Sequence, residues 1–178
     1  MEKEQHLYSL DVIVEFNKTA YNNEELFSQW IDKEFTPAVA DMSDVLLVMD
    51  VASFHKTDHI KQCLKELKIT LALIPRGLTS FLQPLDTAVN APIKLWLQEF
   101  TDTYITEKER QKPGMKWSVS DRRIMTTWTV AQAVRRLEER DDLVRRAFIQ
   151  TGISIRPDGT QVWVYTGCLV SLVVTGVA

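Results

Sequence analysis

Two carboxylates are the strongest candidates for chemistry, because each follows a segment that can hold it in place. Asp50 ends the charge-free apolar run Val45–Met49, and Asp86 follows the loop from Pro75 to Pro84, 36 positions further on. Carboxylates at strand ends of an α/β sheet can meet in one cleft, where their hard oxygens suit Mg²⁺ or Mn²⁺. Two such ions can clamp the attacking and leaving oxygens of a phosphodiester displacement. On spacing alone, the simpler interpretation is that both residues cap local turns.

Two polar residues near these acids are possible accessory groups. His55, five residues after Asp50, could approach a phosphate or orient a water, although a local cap is the commoner role for such a loop residue. Asn90 is four positions after Asp86 and therefore on the same helix face. It could hydrogen-bond a metal-bound water or simply brace the loop, and the bracing role is slightly favoured.

Hydrophobic spacing predicts the elements that position these residues. A strand is expected over 11–16 and a capped helix from Asn22 to Trp30, ending before Pro37. The other predicted elements are a strand at 44–49 buried on both faces, helices at 57–67, 86–104 and 127–150, a strand at 69–74 and a linker loop at 107–114. The order strand, helix, strand favours a parallel crossover and an α/β fold class with a mixed sheet and flanking helices.

Composition predicts one soluble globular domain without a general affinity for nucleic acid. The chain has 178 residues, 45% of them hydrophobic and 25% charged, and its formal net charge is −3. Residues 1–44 carry three lysines against ten acids, whereas 45–120 and 121–178 each carry a net charge of +2. Any contact with nucleic acid must therefore be local.

The basic residues from Arg76 onward have two interpretations. They could follow a DNA backbone, with Arg76 and Lys94 as the candidates nearest to the acids and Arg122 and Arg123 just before the last predicted helix. The arginines from Arg135 to Arg146 alternate with acidic residues, so a salt-bridged solvent face is the favoured interpretation for that stretch.

The cysteines and the N-terminus point to a reducing compartment. Cys63 and Cys168 are the two cysteines, far apart and without metal-ligand spacing, which excludes a disulfide scaffold and a zinc module. The charged start, Met1 to Gln5, carries no secretory signal, so cytosol or nucleus is expected.

The sequence around the acids resembles a known family. Leu46-Leu-Val-Met-Asp50 with His55, the string Ile74-Pro-Arg-Gly-Leu-Thr-Ser-Phe-Leu-Gln-Pro-Leu-Asp86, and Ala88-Val-Asn-Ala-Pro-Ile-Lys94 are similar to the DDE superfamily endonuclease domain of pogo/Tigger-type and jerky-like transposases. The C-terminal string Ala147 to Gly159 adds to the resemblance.

This resemblance implies a ribonuclease-H-like fold, here a partial one, in which Asp50 and Asp86 match the second and third acids of a catalytic, metal-binding triad. It also implies DNA as the partner, Mg²⁺ or Mn²⁺ as the cofactor, no small-molecule substrate and a nuclear location.

The sequence departs from the family pattern before Asp50. The family's first acid is far upstream of the second, whereas 49 residues precede Asp50 here. Asp11 is the tempting substitute, but the resemblance places it on a later strand, and the family's helix-turn-helix segment has no equivalent. We therefore expect an N-terminally truncated endonuclease-like domain at 11–159, after an extension at 1–10, that binds DNA without cleaving it. A domesticated interaction module and a non-functional fragment of a transposable element are the alternatives.

The last segment of the chain differs from the rest. Residues 162–178 carry no charge, and 160–178 has no counterpart in the family. An aberrant ending is the first interpretation, and a membrane anchor is the less favoured one because a span of this length is at the lower bound and lacks flanking basic residues. Truncation would also leave an open sheet edge through which the chain could self-associate.

Overall fold

The computed structural model of the chain describes residues 2–17 and 21–153. In that part of the chain the fold is a helix-rich α/β arrangement with a small parallel sheet. The α-helices are α1 (Glu24–Trp30), α2 (Thr36–Ala38), α3 (Asp58–Glu66), α4 (Thr79–Leu82), α5 (Asn90–Gln111), α6 (Val119–Glu138) and α7 (Asp141–Gln150). The strands are β1 (Val45–Asp50) and β2 (Ile69–Ile74), and short 3-10 helices span Glu2–Leu7 and Ser53–His55. Two π-helical turns span Ile31–Phe35 and Leu85–Val89.

The sheet has the predicted strand, helix, strand order. Strands β1 and β2 pair in parallel, with Val45 opposite Ile69 and Asp50 opposite Ile74. Helix α3 connects them, and the Thr57 hydroxyl accepts a hydrogen bond from the Ile60 amide at its N-terminus. Because both strands run in the same direction, their carboxyl ends lie at the same edge of the sheet.

Strand β1 is less buried than its apolar sequence predicted. Met49 is buried, but Leu46 remains 48% exposed. Among the described residues β1 pairs only with β2, so one of its edges has no strand beside it. The expectation of a strand buried on both faces is therefore wrong for this part of the chain.

The sheet and the helices beside it form a first hydrophobic core. Its buried members come from α1 and the turn after it, from both strands and from α3: Phe27, Ile31, Phe35, Met49, Ile60, Leu64 and Ile69. Full burial of an aliphatic side chain stabilises a fold by about 1.5–3 kcal/mol. This core therefore holds β1, and with it the strand end at which Asp50 lies.

The helix that begins at Glu24 continues past its predicted end. The expected cap is supplied by Asn23, whose side chain accepts a hydrogen bond from the Leu26 amide. The π-helical turn and α2 then carry the chain to Ala38, so the prediction that the helix ends before Pro37 is wrong. Pro37 is tolerated because it lies at the start of α2, where a helix has unpaired amides. It follows the π-helical turn, in which the Thr36 amide donates a hydrogen bond to the Ile31 carbonyl.

A second hydrophobic core joins the turn that contains Asp86 to the C-terminal helices. Val89, Leu137 and Ala147 are its buried members, and they come from that turn, from α6 and from α7. Side chains of α5 and α7 pack around them, among them Ile93, Trp96, Leu143 and Val144. The turn at Leu85–Val89 is thus held from three sides.

The helix predictions in this half differ from the structure at three points. Helix α5 continues to Gln111, because Glu107 accepts hydrogen bonds from Arg110 and Gln111 and keeps the polar end helical. The predicted helix 127–150 is two helices, α6 and α7, since Arg140 at φ −115° and ψ 49° leaves the helical region. Helix α6 begins earlier than predicted because Ser118 and Asp121 form a capping box.

The predicted strand at 11–16 is absent from the structure, where residues 13–17 have no regular conformation. An isolated β-prone segment needs a neighbouring strand for its hydrogen bonds. Here Glu15 instead pairs with Lys33 at 3.8 Å, and Asp11 pairs with Arg135. Asp11 is therefore turned toward α6, and its pairing gives no support to a role as the missing acid.

The N-terminal residues also lie on α6. The Ser9 amide donates to the Thr127 hydroxyl at 3.1 Å, and the Trp128 indole donates to the Leu7 carbonyl at 3.0 Å. None of the helices in the described part of the chain combines the length and apolarity that a membrane crossing requires. The uncharged segment 162–178 and the end of the Ala147–Gly159 string lie outside the described residues.

Candidate functional site

Asp50 is the last residue of β1, and a turn holds its carboxylate at the end of the strand. Its Oδ1 accepts a hydrogen bond from the Ala52 amide at 3.1 Å and lies 2.7 Å from His55 Nδ1. The side chain remains 40% exposed, and Oδ2 has no partner among the described residues. One oxygen thus fixes the carboxylate and the other is available to a ligand.

His55 is placed by aromatic packing. Its ring centroid lies 4.7 Å from that of Phe27 and 4.3 Å from that of Phe54, and the side chain is only 16% exposed. An ionised carboxylate can only accept hydrogen bonds, so His55 Nδ1 carries the proton in this pair. The histidine predicted as an accessory group therefore orients Asp50, and its Nε2 is the atom left for other contacts.

Asp86 lies in the π-helical turn, immediately before α5. The Asn90 side-chain amide donates a hydrogen bond to Asp86 Oδ1 at 2.6 Å, as their spacing of four predicted. Asp86 is exposed, and its Oδ2 has no partner among the described residues. π-Helical turns are rare and frequently occur at functional sites. As with Asp50, one oxygen is held by the protein and the other is available.

The topology relates the two acids. Asp50 lies at the carboxyl edge of the sheet, and the loop that leads to Asp86 leaves β2 from that same edge. Gly77 in this loop has φ +80°, a conformation that side chains other than glycine rarely adopt. Each acid has its own polar neighbour, His55 for Asp50 and Asn90 for Asp86. Their expected approach to one another stays a prediction.

Two carboxylates with free oxygens are suitable ligands for a hard divalent ion. Within residues 2–17 and 21–153, however, no group of three or more His, Cys, Asp or Glu side chains is arranged to hold a metal ion. A metal-binding role for the two acids is therefore a prediction and not an observed feature of this structure.

The basic residues predicted for nucleic acid differ in availability. Arg76 is exposed in the loop after β2, Lys94 is exposed one turn beyond Asn90, and Arg122 is exposed on α6. Arg123 is only 22% exposed, and its Nε lies 2.6 Å from Glu4 Oε1. Arg123 is thus committed to an ion pair within the protein.

The arginines of α6 and α7 form the expected ion-paired surface. Arg140, Arg145 and Arg146 pair with Asp141 or Asp142. Arg136 and Arg135 pair instead with partners distant in sequence, Glu99 at 2.6 Å and Asp11. Exposed pairs of this kind stabilise the fold by only about 0–1 kcal/mol each.

Two groups of residues stand out only in the structure. Glu4 accepts hydrogen bonds from Arg123, Tyr8 and Ser120, which lower the pKa of its carboxyl to about 2. Lys61, Lys65 and Lys68 line an open depression beside β2. The spacing of four between Lys61 and Lys65 is a signal for a shared helix face.

Burial raises the pKa of the Cys63 thiol, with further contributions from Asp32 and Glu66. The thiol is therefore protonated at neutral pH and is not a candidate nucleophile.

Comparison with known proteins gives one match. The family described as DDE superfamily endonuclease matches residues 2–138, a range that contains Asp50, Asp86 and both of their polar neighbours. No match was found among curated proteins or among solved structures.

Proposed function

Since the chain belongs to the DDE superfamily endonuclease family, we propose that it is a transposase-derived domain that binds DNA through the edge of the sheet at which Asp50 lies. The observation that carries the proposal is topological: Asp50 ends a parallel strand, and the loop to Asp86 leaves the same edge. The superfamily implies a role connected with nucleic acid. The phosphate backbone is the expected ligand, not a small molecule, and the nucleus is the expected location.

Within this superfamily, we propose the pogo/Tigger/jerky group and a ribonuclease-H-like fold. The string from Ile74 to Asp86 supports the group. The parallel β1–α3–β2 unit, with an acid at the end of its first strand, supports the fold.

In the proposed site, Asp50 and Asp86 are the second and third acids of the family's metal-binding triad. Bound Mg²⁺ or Mn²⁺ would activate a water or a 3′-hydroxyl and stabilise the leaving oxygen. The chain's own contribution is positioning: His55 and the Ala52 amide hold Asp50, and Asn90 holds Asp86. Such supporting hydrogen bonds keep the free oxygens oriented toward a ligand.

We further propose that this chain does not cleave DNA alone, because two carboxylates leave the metal pair without a third anchor. The purified chain should not nick supercoiled DNA in Mg²⁺ or Mn²⁺. Nicking that disappears in Asp50→Ala would refute this part of the proposal, whereas nicking that persists in that variant would indicate a contaminating nuclease.

The geometry of the acids is tested separately. We expect their carboxylates to lie on the order of 4–8 Å apart, facing one cleft. An experimental structure with Mn²⁺ should place the ion between them, and ion binding should weaken in Asp50→Asn and Asp86→Asn. Asp102→Asn, at an exposed position of α5, is the matched control. Carboxylates on opposite sides of the sheet would refute the site.

DNA binding itself is tested by fluorescence anisotropy with a labelled duplex. Affinity should fall as salt rises, because phosphate contacts release counterions. A chain that binds no duplex at low salt would contradict the proposed function and favour an interaction module or a fragment without function.

A further inference from the structure

We propose that Lys61, Lys65 and Lys68, together with the open edge of β2, form a second surface that contacts the phosphate backbone of DNA. This inference rests on the proposed DNA binding and adds a site away from the two acids. The surface is a depression of about 380 Å³ whose lining includes these three lysines, Thr70 and Leu71.

The lysines are available for a ligand. All three are exposed. Lys61 lies 3.4 Å from Asp58 in an exposed pair, and no contact of the Lys65 or Lys68 ammonium group is seen within the described residues. The nearby acid Glu66 accepts a hydrogen bond from Gln62. These two residues lie on a different side of α3 from Lys61 and Lys65. Positive charge on this surface is thus only partly neutralised.

Two features of the lysine sequence carry a small cost in the free chain. Lys61 and Lys65 are four residues apart on one helix, a spacing at which like charges repel. Lys68 has φ +58°, the conformation after a helix end in which glycine or asparagine is preferred. Of these two costs, the repulsion between Lys61 and Lys65 is the one that a bound phosphate backbone would offset.

The sheet contributes donors to the same surface. Among the described residues β2 pairs only with β1, so its other edge is open beside the lysines. Backbone amides at a sheet edge can bind anions. Thr70, which is exposed, adds a hydroxyl at this point.

The position of the surface relates it to the acids. Thr70 lies opposite Leu46, four residues before Asp50 in β1. At about 3.3 Å per residue, the two sites are roughly 13 Å apart along the strand. A single duplex is long enough to contact both sites, with the lysines as additional contacts to its backbone.

The competing role for these lysines is structural, because basic residues near the C-terminus of a helix interact favourably with its dipole. That role predicts lower stability on neutralisation without a change in DNA affinity. Salt dependence of binding separates the two roles, since the slope of log K against log salt counts the phosphate contacts.

The experiment uses the full chain and a fluorescein-labelled duplex over about 50–200 mM salt. We expect Lys65→Gln with Lys68→Gln to reduce the salt slope by about 2. Lys65→Arg with Lys68→Arg should retain the slope, because the positive charges that contact phosphate are kept. Lys112→Gln with Lys116→Gln removes the same charge from an exposed loop and should leave the slope unchanged. Circular dichroism verifies that each variant is folded.

The outcomes separate this inference from the proposed function. The lysine surface is refuted if the wild-type chain binds DNA but the variant with Lys65→Gln and Lys68→Gln has an unchanged salt slope. A decrease no larger than that of the Lys112→Gln, Lys116→Gln control also refutes it. In both cases the proposed function stands. If the wild-type chain binds no DNA, both are refuted. Mn²⁺ binding at the acids should be equal in the wild type and in the variant with Lys65→Gln and Lys68→Gln.

Discussion

At the scale of single residues, the acids show that a local structural role leaves one carboxylate oxygen free for a ligand. Asp50 uses Oδ1 to fix the turn after β1, and Asp86 uses Oδ1 to bind Asn90. The capping interpretation of Asp50 and its proposed ligand role are thus compatible, because a carboxylate has two oxygens. Asparagine retains the Oδ1 acceptor, so Asp50→Asn and Asp86→Asn are better probes of the site than alanine variants.

Glu4 gives a prediction about pH. Hydrogen bonds from Arg123, Ser120 and Tyr8 lower its pKa from 4.5 to about 2 in the folded chain. A lowered folded-state pKa contributes stability that is present above 4.5 and is lost as the pH falls toward 2. Wild type should therefore melt at a higher temperature than Glu4→Gln at pH 6, and the difference should shrink toward pH 2.

Thermal unfolding followed by circular dichroism measures this difference. Glu109→Gln, at an exposed position of α5, is the control and should show little difference at either pH. A gap between wild type and Glu4→Gln that stays constant from pH 6 to pH 2 would contradict the ionic role of Glu4.

Lys68 gives a prediction in which stability and binding change in opposite directions. Glycine adopts φ +58° without the steric cost that lysine incurs. Lys68→Gly should therefore stabilise the chain by roughly 0.5–1 kcal/mol, which corresponds to an increase in melting temperature of about 1–4 °C. The same variant should weaken DNA binding. A lower melting temperature would show that the lysine side chain stabilises the fold by other contacts.

At the scale of elements, the capping box of α6 decides where that helix begins. Ser118 accepts from the Asp121 amide at 3.1 Å, and the Asp121 carboxylate accepts from the Ser118 amide at 2.9 Å. Loss of such a cap costs about 1 kcal/mol. Ser118→Ala should lower the free energy of unfolding by that amount in urea denaturation. Ser80→Ala, at an exposed position of α4, is the control. Equal stability of the two variants would contradict the role of the cap.

At the scale of the whole molecule, the sheet is small for the length of the chain. Strand β1 has an open edge among the described residues, and Leu46 is half exposed beside it. Exposed edges of this kind promote pairing between chains. We expect the full chain to be poorly soluble and to self-associate, unless the apolar segment 162–178 covers this edge.

Deletion of residues 162–178 tests that expectation, with the soluble fraction, sedimentation and sharpness of thermal unfolding as readouts. Aggregation on deletion would show that the segment belongs to the fold. A shortened chain that is soluble, monomeric and sharply melting would contradict the expected edge pairing and show that the segment is dispensable. Loss of membrane partitioning on deletion would instead support the anchor interpretation.

Local sequence determined the elements that hold Asp50. The apolar runs marked β1 and β2 as strands, and the Asn23 cap and the four-residue spacing of Asp86 and Asn90 involve partners close in sequence. Hydrogen bonds and side-chain contacts between near neighbours form with little loss of chain entropy, so their pattern is visible in the sequence.

Tertiary structure alone decided the features whose partners are distant in sequence. Segment 11–16 had the composition of a strand, yet Asp11 pairs with Arg135 and Glu15 with Lys33, because no neighbouring strand accepts its hydrogen bonds within the described residues. Likewise, Glu4 pairs with Arg123 and Glu99 with Arg136. Such contacts depend on which surfaces the whole chain buries together, and residue spacing does not contain that information.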